Sequence, residues 1–401
     1  MKIVLVNQYF YPDMAATAQL LADLASDLAA GGHEVHVLSG RGSYAPERNR
    51  SLPRIEHWRG VHIRRLWCTN LGRGSRWCRL SDYLTFLVTA SLALLFSKRA
   101  NVTVCLSTPP LVALIGLIGK FRGSRFVYKV EDLYPDVAVA VGQLPKRSFL
   151  TRILSRLSSF ILSRADRVVA LDKAMSGQLS KRGSCQTRVI PNWANGDAIR
   201  PDSEAGRIFR TEHGIEGQFV VLYSGNLGMA HRFDAVIDAA KQLAEERVSV
   251  IFLFVGGGPR LQTVKTDAID LPNVRFMEYQ PRERLNQLYN AVNLHLITMR
   301  DEVAGLLVPS KYAAALAAGK PVLLVGGEGA DLHQEIEELR VGWVCRHNPL
   351  EIRQAIIEAI THPGRSAEMG EASRRVFEDR YSHKIARKRW MELMESLEVE
   401  S

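Results

Sequence analysis

Short apolar runs alternate with helical segments along nearly the whole chain, and they do so in two separate series. The first comprises "KIVLVNQYF", "HEVHVLSG", "NVTVCLST", "SRFVYKVEDLYP", "ADRVVALD" and "TRVIPNW". Between its first two runs, the leucines of "TAQLLADLASDLAAGGHEV" fall at helical spacing and Gly31-Gly32 supplies the stop. After Asn192 the pattern breaks, and "WANGDAIRPDSEAGRIFRTEHGIEGQ" carries turn formers and charge without sustained periodicity, as a connection would. A second series follows: "FVVLYSG", "VSVIFLFVGGG", "VRFMEY", "VNLHLIT", "PVLLVGG" and "VGWVCR". Strands separated by helices form parallel sheets covered on both faces. The expected class is therefore α/β, with two doubly wound domains facing one another.

A length of 401 residues is long for one core and agrees with two domains. Five scattered cysteines without a C-x-x-C pair support neither a disulfide framework nor a metal site, and fit a reducing cytoplasm. The opening "MKIVLVNQYFYP" has too short an apolar run for a signal peptide and reads as the first buried strand.

The formal charge of +10 is concentrated. Between Arg41 and Arg79 lie ten arginines, at 41, 48, 50, 54, 59, 64, 65, 73, 76 and 79, against only Glu47 and Glu56. Directly after comes "YLTFLVTASLALLF", Tyr83 to Phe96, which carries no charge and is closed by Lys98 and Arg99. A spanning helix needs roughly twenty apolar residues, so this segment reads as short for a crossing. Two readings stay open: a buried helix, or a helix dipping into an anionic leaflet while Arg73, Arg76 and Arg79 hold headgroups. Nucleic acid is not expected, because the block lacks the motif and aromatic patterning of base recognition.

In doubly wound sheets, ligands gather at the carboxyl ends of the strands. Three turns of the second series suit that place. "LYSGNLGMAHRFD" leaves a strand through Gly225-Asn226-Leu227-Gly228 and reaches His231 and Arg232; "FVGGGPRL" leaves through Gly256, Gly257 and Gly258; and "VPSK" brings Pro309, Ser310 and Lys311 to a helix start. A cation on the first turn of a helix is unfavourable unless something negative sits beside it. Lys311, with Arg232 or His231 across the gap, would complement a diphosphate held by backbone N–H groups.

In the order "GNLGMAH", "FLFVGGGPR", "PRERLNQLYNAVNLHLI" and "VPSKYAAALAAGKPV", the second half resembles the retaining family 4 glycosyltransferases of the GT-B fold. The likeness is to the branch building bacterial exopolysaccharides and O-antigens, of the colanic-acid and L-fucosamine transferase type. "NQYFYPDMAATAQLLADLASDLAAGGHEVHVLSG", "STPPLVALIG" and "FVYKVEDLYPD" extend it through the first half. The resemblance implies GT-B architecture, two Rossmann-like domains across a cleft: an acceptor domain over 1–195, a nucleotide-sugar domain over 196–380, and a helix over 381–401 returning to the first. Asn192 and Trp193 would enter the hinge.

Carried over residue by residue, the resemblance puts the catalytic work on Lys311 and Arg232, with Glu131 and Asp132 of "KVEDLYPD" near sugar or acceptor hydroxyls and Lys129 and Asp136 close by. Gly225, Asn226, His231, Gly256, Gly257, Gly258, Pro309 and Ser310 would line the donor. Ala15 and Ala16 stand where relatives carry paired glycines against the donor phosphates. The family's arginine and lysine after the first strand correspond here to Asn226 and His231. Its two glutamates fall on Leu306 and Ala314, so Asp301 or Glu302 would substitute for them. The implied reaction retains anomeric configuration, uses a UDP-sugar as substrate, and needs no metal and no cofactor. Its acceptor would be a polyprenyl-diphosphate-linked saccharide reached from the inner face of the cytoplasmic membrane. Two other readings remain open: a non-catalytic partner subunit of this fold, motivated by the missing glutamates, and a nucleotide-sugar epimerase.

Overall fold

The structure, a computed structural model, describes residues 1–13, 15–42, 52–71, 76–184 and 186–399. Arg48, Arg50, Arg73 and the Arg76 side chain lie outside the described residues. The chain divides into two compact units, Met1–Pro191 joined by the stretch from Arg387 onward, and Asn192–Ala386.

In the first unit the described residues form an eight-stranded sheet. In chain order the strands are β1 (Lys2–Val6), β2 (Glu34–Gly40), β3 (Ile55–Trp58), β4 (Val61–Leu66), β5 (Val102–Cys105), β6 (Arg125–Lys129), β7 (Arg167–Ala170) and β8 (Thr187–Val189). Their spatial order is β3-β4-β2-β1-β5-β6-β7-β8, and all pairs are parallel except the β3–β4 hairpin. β1, β5 and β7 are buried on both faces, which is why they read as plain apolar runs.

The hairpin lies inside the arginine block, where the sequence suggests only surface charge. β4 alternates buried Val61 and Ile63 with exposed His62 and Arg64, the pattern of a strand with one face in the core. Arg65 is 1% exposed: its guanidinium pairs with Glu56 at 2.6 Å and donates to the carbonyl oxygens of Tyr11, at 2.9 Å, and Pro53, at 3.1 Å. Part of the basic block therefore fastens the sheet edge and faces no partner.

The uncharged stretch is longer as a helix than as a sequence run, covering Arg76–Leu95. Its section Trp77–Leu95 is long and apolar enough, by length and composition, to cross a membrane, where Tyr83 to Phe96 alone read as short. Phe86, Ala90, Ala93 and Leu94 face the core. Trp77, Leu80, Leu84, Val88, Leu92 and Phe96 form an exposed stripe at three- and four-residue intervals.

The second unit carries a six-stranded, wholly parallel sheet: β9 (Phe219–Ser224), β10 (Val250–Val255), β11 (Val274–Met277), β12 (Leu294–Met299), β13 (Val322–Gly326) and β14 (Gly342–Cys345). Their order is β11-β10-β9-β12-β13-β14. Within the connection expected to be irregular, Ser203–His213 is a helix, capped by the Asp202 side chain and ended by left-handed Gly214.

Candidate functional site

The strand order of the second sheet reverses at β9, which has β10 on one side and β12 on the other. Such a switch point opens a crevice at the carboxyl edge, because the flanking connections run to opposite sides. Here β9 and β12 part early, and the gap between them, lined by Ser224, Ile297 and Lys311, holds only about 10 Å³. β9 and β10 pair along six positions, whereas β9 and β12 pair only at Val221–Leu294 and Leu222–His295.

The glycine turns after β9 and β10 meet beside this gap. Gly225 N–H donates to Val255 O at 2.8 Å, Leu227 N–H to Gly257 O at 2.7 Å, and Arg260 N–H to Leu227 O at 3.1 Å. A Cβ on Gly256 would stand 2.2 Å from Gly225 O, and one on Gly258 would stand 2.4 Å from Asn226 Oδ1. Both positions have φ in the range only glycine adopts freely, so these turns approach as closely as they do because they lack side chains. Among the described residues, the N–H groups of Asn226, Gly257 and Gly258 have no hydrogen-bond partner at this open edge.

Lys311, the first residue of the helix Lys311–Ala317, reaches into the same place. A Cβ on Gly225 would be 3.0 Å from its Cε; its Nζ lies 4.6 Å over the Tyr223 ring and 3.4 Å from His231 Nε2. His231 Nδ1 donates to Thr298 O at 2.6 Å, which leaves the Nε2 lone pair to accept from Lys311. Burial first, and the neighbouring Lys311 second, push the His231 pKa down to about 3, so the imidazole is neutral. Burial lowers Lys311 itself to about 7, although part of its side chain still reaches solvent. Among the described residues no carboxylate pairs with this ammonium. A cation without a counterion, beside unused N–H donors, is complementary to a phosphate or diphosphate.

Other expected members of the site are placed differently. His231 is not placed as a second cation: burial holds it neutral, and its Nε2 lies 3.4 Å from Lys311 Nζ. The Arg232 guanidinium is held by both oxygens of Asp234, at 2.7 to 3.0 Å, and is exposed. Asp301 does not present a free carboxylate: its Oδ1 accepts from Gly327 N at 2.7 Å and Glu328 N at 3.1 Å, fixing the turn after β13. Glu302 is exposed and lies 3.4 Å from Arg300 Nε. Pro309 is buried, and Ser310 is exposed at the helix start with no side-chain capping bond.

Two further groups stand at the edge. Arg260 donates from Nη1 to His231 O at 3.3 Å, and the Tyr279 ring lies 3.2 and 3.3 Å from the Cβ positions of Gly256 and Gly257. Arg260 stands in the "GGGPR" turn and could have been picked out there; Tyr279 lies two residues past β11 with no such signal.

In the first unit, β1 and β5 flank the corresponding reversal. Glu131 is buried and paired with buried Lys129, so neither member of the pair is open to substrate as expected. Ser107 Oγ, from the loop after β5, accepts the N–H groups of Glu131 at 2.9 Å and Asp132 at 3.2 Å. Asp132 keeps solvent access, yet the protein packed around it, and then the Glu131 carboxylate, push it up to about 6. Asp136 pairs with Arg182. Ala15 is buried, and its N–H donates to Asp13 Oδ1 at 2.9 Å; Ala16 is exposed and opens the helix Ala16–Ala30. Among the described residues no group of three or more His, Cys, Asp or Glu is arranged to hold a metal ion.

Residues 16–193 match the family described as glycosyl transferase 4-like domain, and residues 207–376 match that described as glycosyl transferases group 1. The chain is 28% identical over 310 residues to the Pseudomonas aeruginosa protein described as glycosyltransferase WbjE, covering 76% of this chain and 77% of that one. It is 23% identical over 361 residues to the protein of Escherichia coli (strain K12) described as colanic acid biosynthesis glycosyl transferase WcaI, covering 86% and 88%. Among solved structures, Anabaena Alr3699/HepE in complex with UDP-glucose superposes with a TM-score of 0.73 at 16% identity, covering 99% of this chain and 100% of that one. Two Rossmann-like domains, each matched by its own glycosyltransferase family, place this chain among the GT-B glycosyltransferases of the family 4 type.

Proposed function

We propose that the protein is a retaining glycosyltransferase that moves a sugar from a UDP-sugar to a lipid-linked saccharide in the assembly of a cell-surface polysaccharide. The observation that carries this reading is the Lys311 ammonium, without a carboxylate, beside the unused N–H groups of Asn226, Gly257 and Gly258. Negative charge builds on the departing phosphate as the glycosidic bond to the nucleotide breaks, and fixed donors stabilise it most when they need no rearrangement. A same-face displacement, with the leaving diphosphate taking the acceptor proton, asks no strong base of the protein. That agrees with a second unit in which Asp234 and Asp301 are already engaged. The relative WcaI, described as a colanic acid biosynthesis glycosyl transferase, supports the choice of polysaccharide assembly, and the UDP-glucose bound to HepE supports that of a UDP-sugar.

The lipid-linked acceptor is supported by the exposed stripe from Trp77 to Phe96, which also suits peripheral residence at the cytoplasmic face of the membrane. The helix Phe149–Arg164 adds exposed Phe149, Leu150, Ile153 and Phe160 to the same unit. The direct test is calorimetric titration with UDP, GDP and ADP and their sugars, followed by transfer assays on polyprenyl-diphosphate saccharides. Saturable UDP binding that Lys311→Met weakens supports the reading; binding indifferent to Lys311 refutes it. Turnover of a UDP-sugar would set aside the partner-subunit reading.

A further inference from the structure

A cavity of about 790 Å³ lies at the opposite, amino edge of the second sheet, against Phe219 at the start of β9, Pro321 just before β13, and Ile360 and Pro363. It is a half-open pocket, of a volume that small-molecule sites commonly have. Its walls are mostly apolar, but its charges are unbalanced. Of its three cations, Arg374 is paired with Glu378 at 2.7 Å and Arg375 stands 3.8 Å from Glu371, which leaves Lys320 as the uncompensated one. Among the described residues Lys320 has no hydrogen-bond or ion-pair partner. Arg210, whose charge bears on Lys320, is likewise without a carboxylate: its three nitrogens donate to Ala291 O, Gln218 O and Asn293 Oδ1.

The cavity is joined to the Lys311 site by a single short element. The helix that begins with Lys311 ends at Ala317, about 10 Å away at the usual rise per residue. Arg374 Nη1 donates to Ala317 O at 2.8 Å, closing that last turn, while left-handed Gly319 carries the chain into Lys320. An anion that engages Lys320 or draws on Arg374 changes what holds this end of the helix. We propose that the cavity is a second ligand site for a small amphipathic anion, a phosphate or carboxylate head on an apolar body, whose occupancy is read at Lys311 through the Lys311–Ala317 helix.

The probe is octyl phosphate below its micelle concentration, titrated by calorimetry into the full-length chain beside inorganic phosphate. Octyl phosphate should bind saturably at one site and inorganic phosphate far more weakly. Lys320→Met, which keeps the apolar stem, should weaken octyl phosphate by about tenfold or more, since a charge-assisted contact is lost. Ala367→Phe, a substitution at an exposed lining position, should block the cavity, and thermal unfolding of both variants checks their fold. Equal octyl phosphate affinity in wild type and both variants overturns the site. Equal affinity for inorganic phosphate overturns the amphipathic class.

The link to Lys311 rests on the donor reading and has its own arm, UDP titration with and without saturating octyl phosphate. A shift of at least about twofold, lost in Lys320→Met, is expected from a modest coupling; identical UDP affinities overturn the link. Failure of UDP to bind at all would count against the donor reading and leave the octyl phosphate result standing.

Discussion

Lys311 loses much of its hydration where it stands, and this makes its charge sensitive to pH near neutrality. With a pKa near 7, its amine is mostly neutral at pH 8 in the free protein. A dianion bound beside it favours the charged form and raises that pKa, so binding draws a proton from solvent. UDP titrated at pH 8 in buffers of different ionisation enthalpy should therefore show uptake approaching about one proton, and affinity should fall as pH rises above about 7. Lys311→Met should abolish the uptake, and Lys311→Arg, charged throughout, should abolish the pH dependence. Turnover in Lys311→Ala should fall by about a hundredfold or more with circular dichroism unchanged, the loss typical of one charge-stabilising donor. Near-normal turnover or an absent proton signal would remove Lys311 from the mechanism. The lysine was legible in the sequence because a cation on a first helical turn calls for an anion. The fate of Arg232 was less legible, since its partner Asp234 is only two residues away but nothing in the sequence says which way either points. Asp301 was out of reach altogether, because its partners at Gly327 and Glu328 lie across the sheet edge.

Among elements, β10, β12 and β13 were readable as written, because strands buried on both faces are nearly continuous apolar runs. β3 and β4 were not, since a strand with one wet face carries arginine and histidine on it and merges with a charge run. The glycine turns hold the site together at this scale, and that can be measured. Gly256→Ala would set a methyl 2.2 Å from Gly225 O at a φ of 137°, so it should cost about 3 kcal/mol or more in urea unfolding, by strain and backbone clash together. Gly214→Ala, with φ 58° and open space around it, should cost only about 1–2 kcal/mol. Equal costs would mean the two turns do not need their close approach. The stripe on the Arg76–Leu95 helix has its own test. Leu84→Glu with Val88→Glu, both at exposed positions, should abolish sedimentation with anionic vesicles while leaving UDP affinity unchanged. Vesicle binding that survives both charges would locate membrane contact elsewhere or nowhere.

At the scale of the whole molecule, the end of the chain completes the unit with which it starts. The helix His383–Val399 buries Trp390, Leu393, Met394 and Leu397, and its Met391 side chain lies 2.6 Å from where a Cβ on Gly31 would be. Arg387 stands 4.0 Å from Asp27 on the helix Ala16–Ala30, so this segment covers that helix near its end. Two units with separate cores need not unfold together, and damage to a core residue should appear in the unit that owns it. Trp390→Ala removes a side chain 1% exposed and should destabilise by about 3–5 kcal/mol. Trp390→Phe should cost much less, because the indole N–H has no hydrogen-bond partner among the described residues and only its bulk is used. Hydrogen exchange followed by mass spectrometry gives the location. In Trp390→Ala, protection should drop in Ala16–Ala30 and in β1 and β2 while β9 to β14 keep theirs. Loss spread evenly over both sheets would show that the 401 residues unfold as one body and that the last helix belongs to neither unit alone.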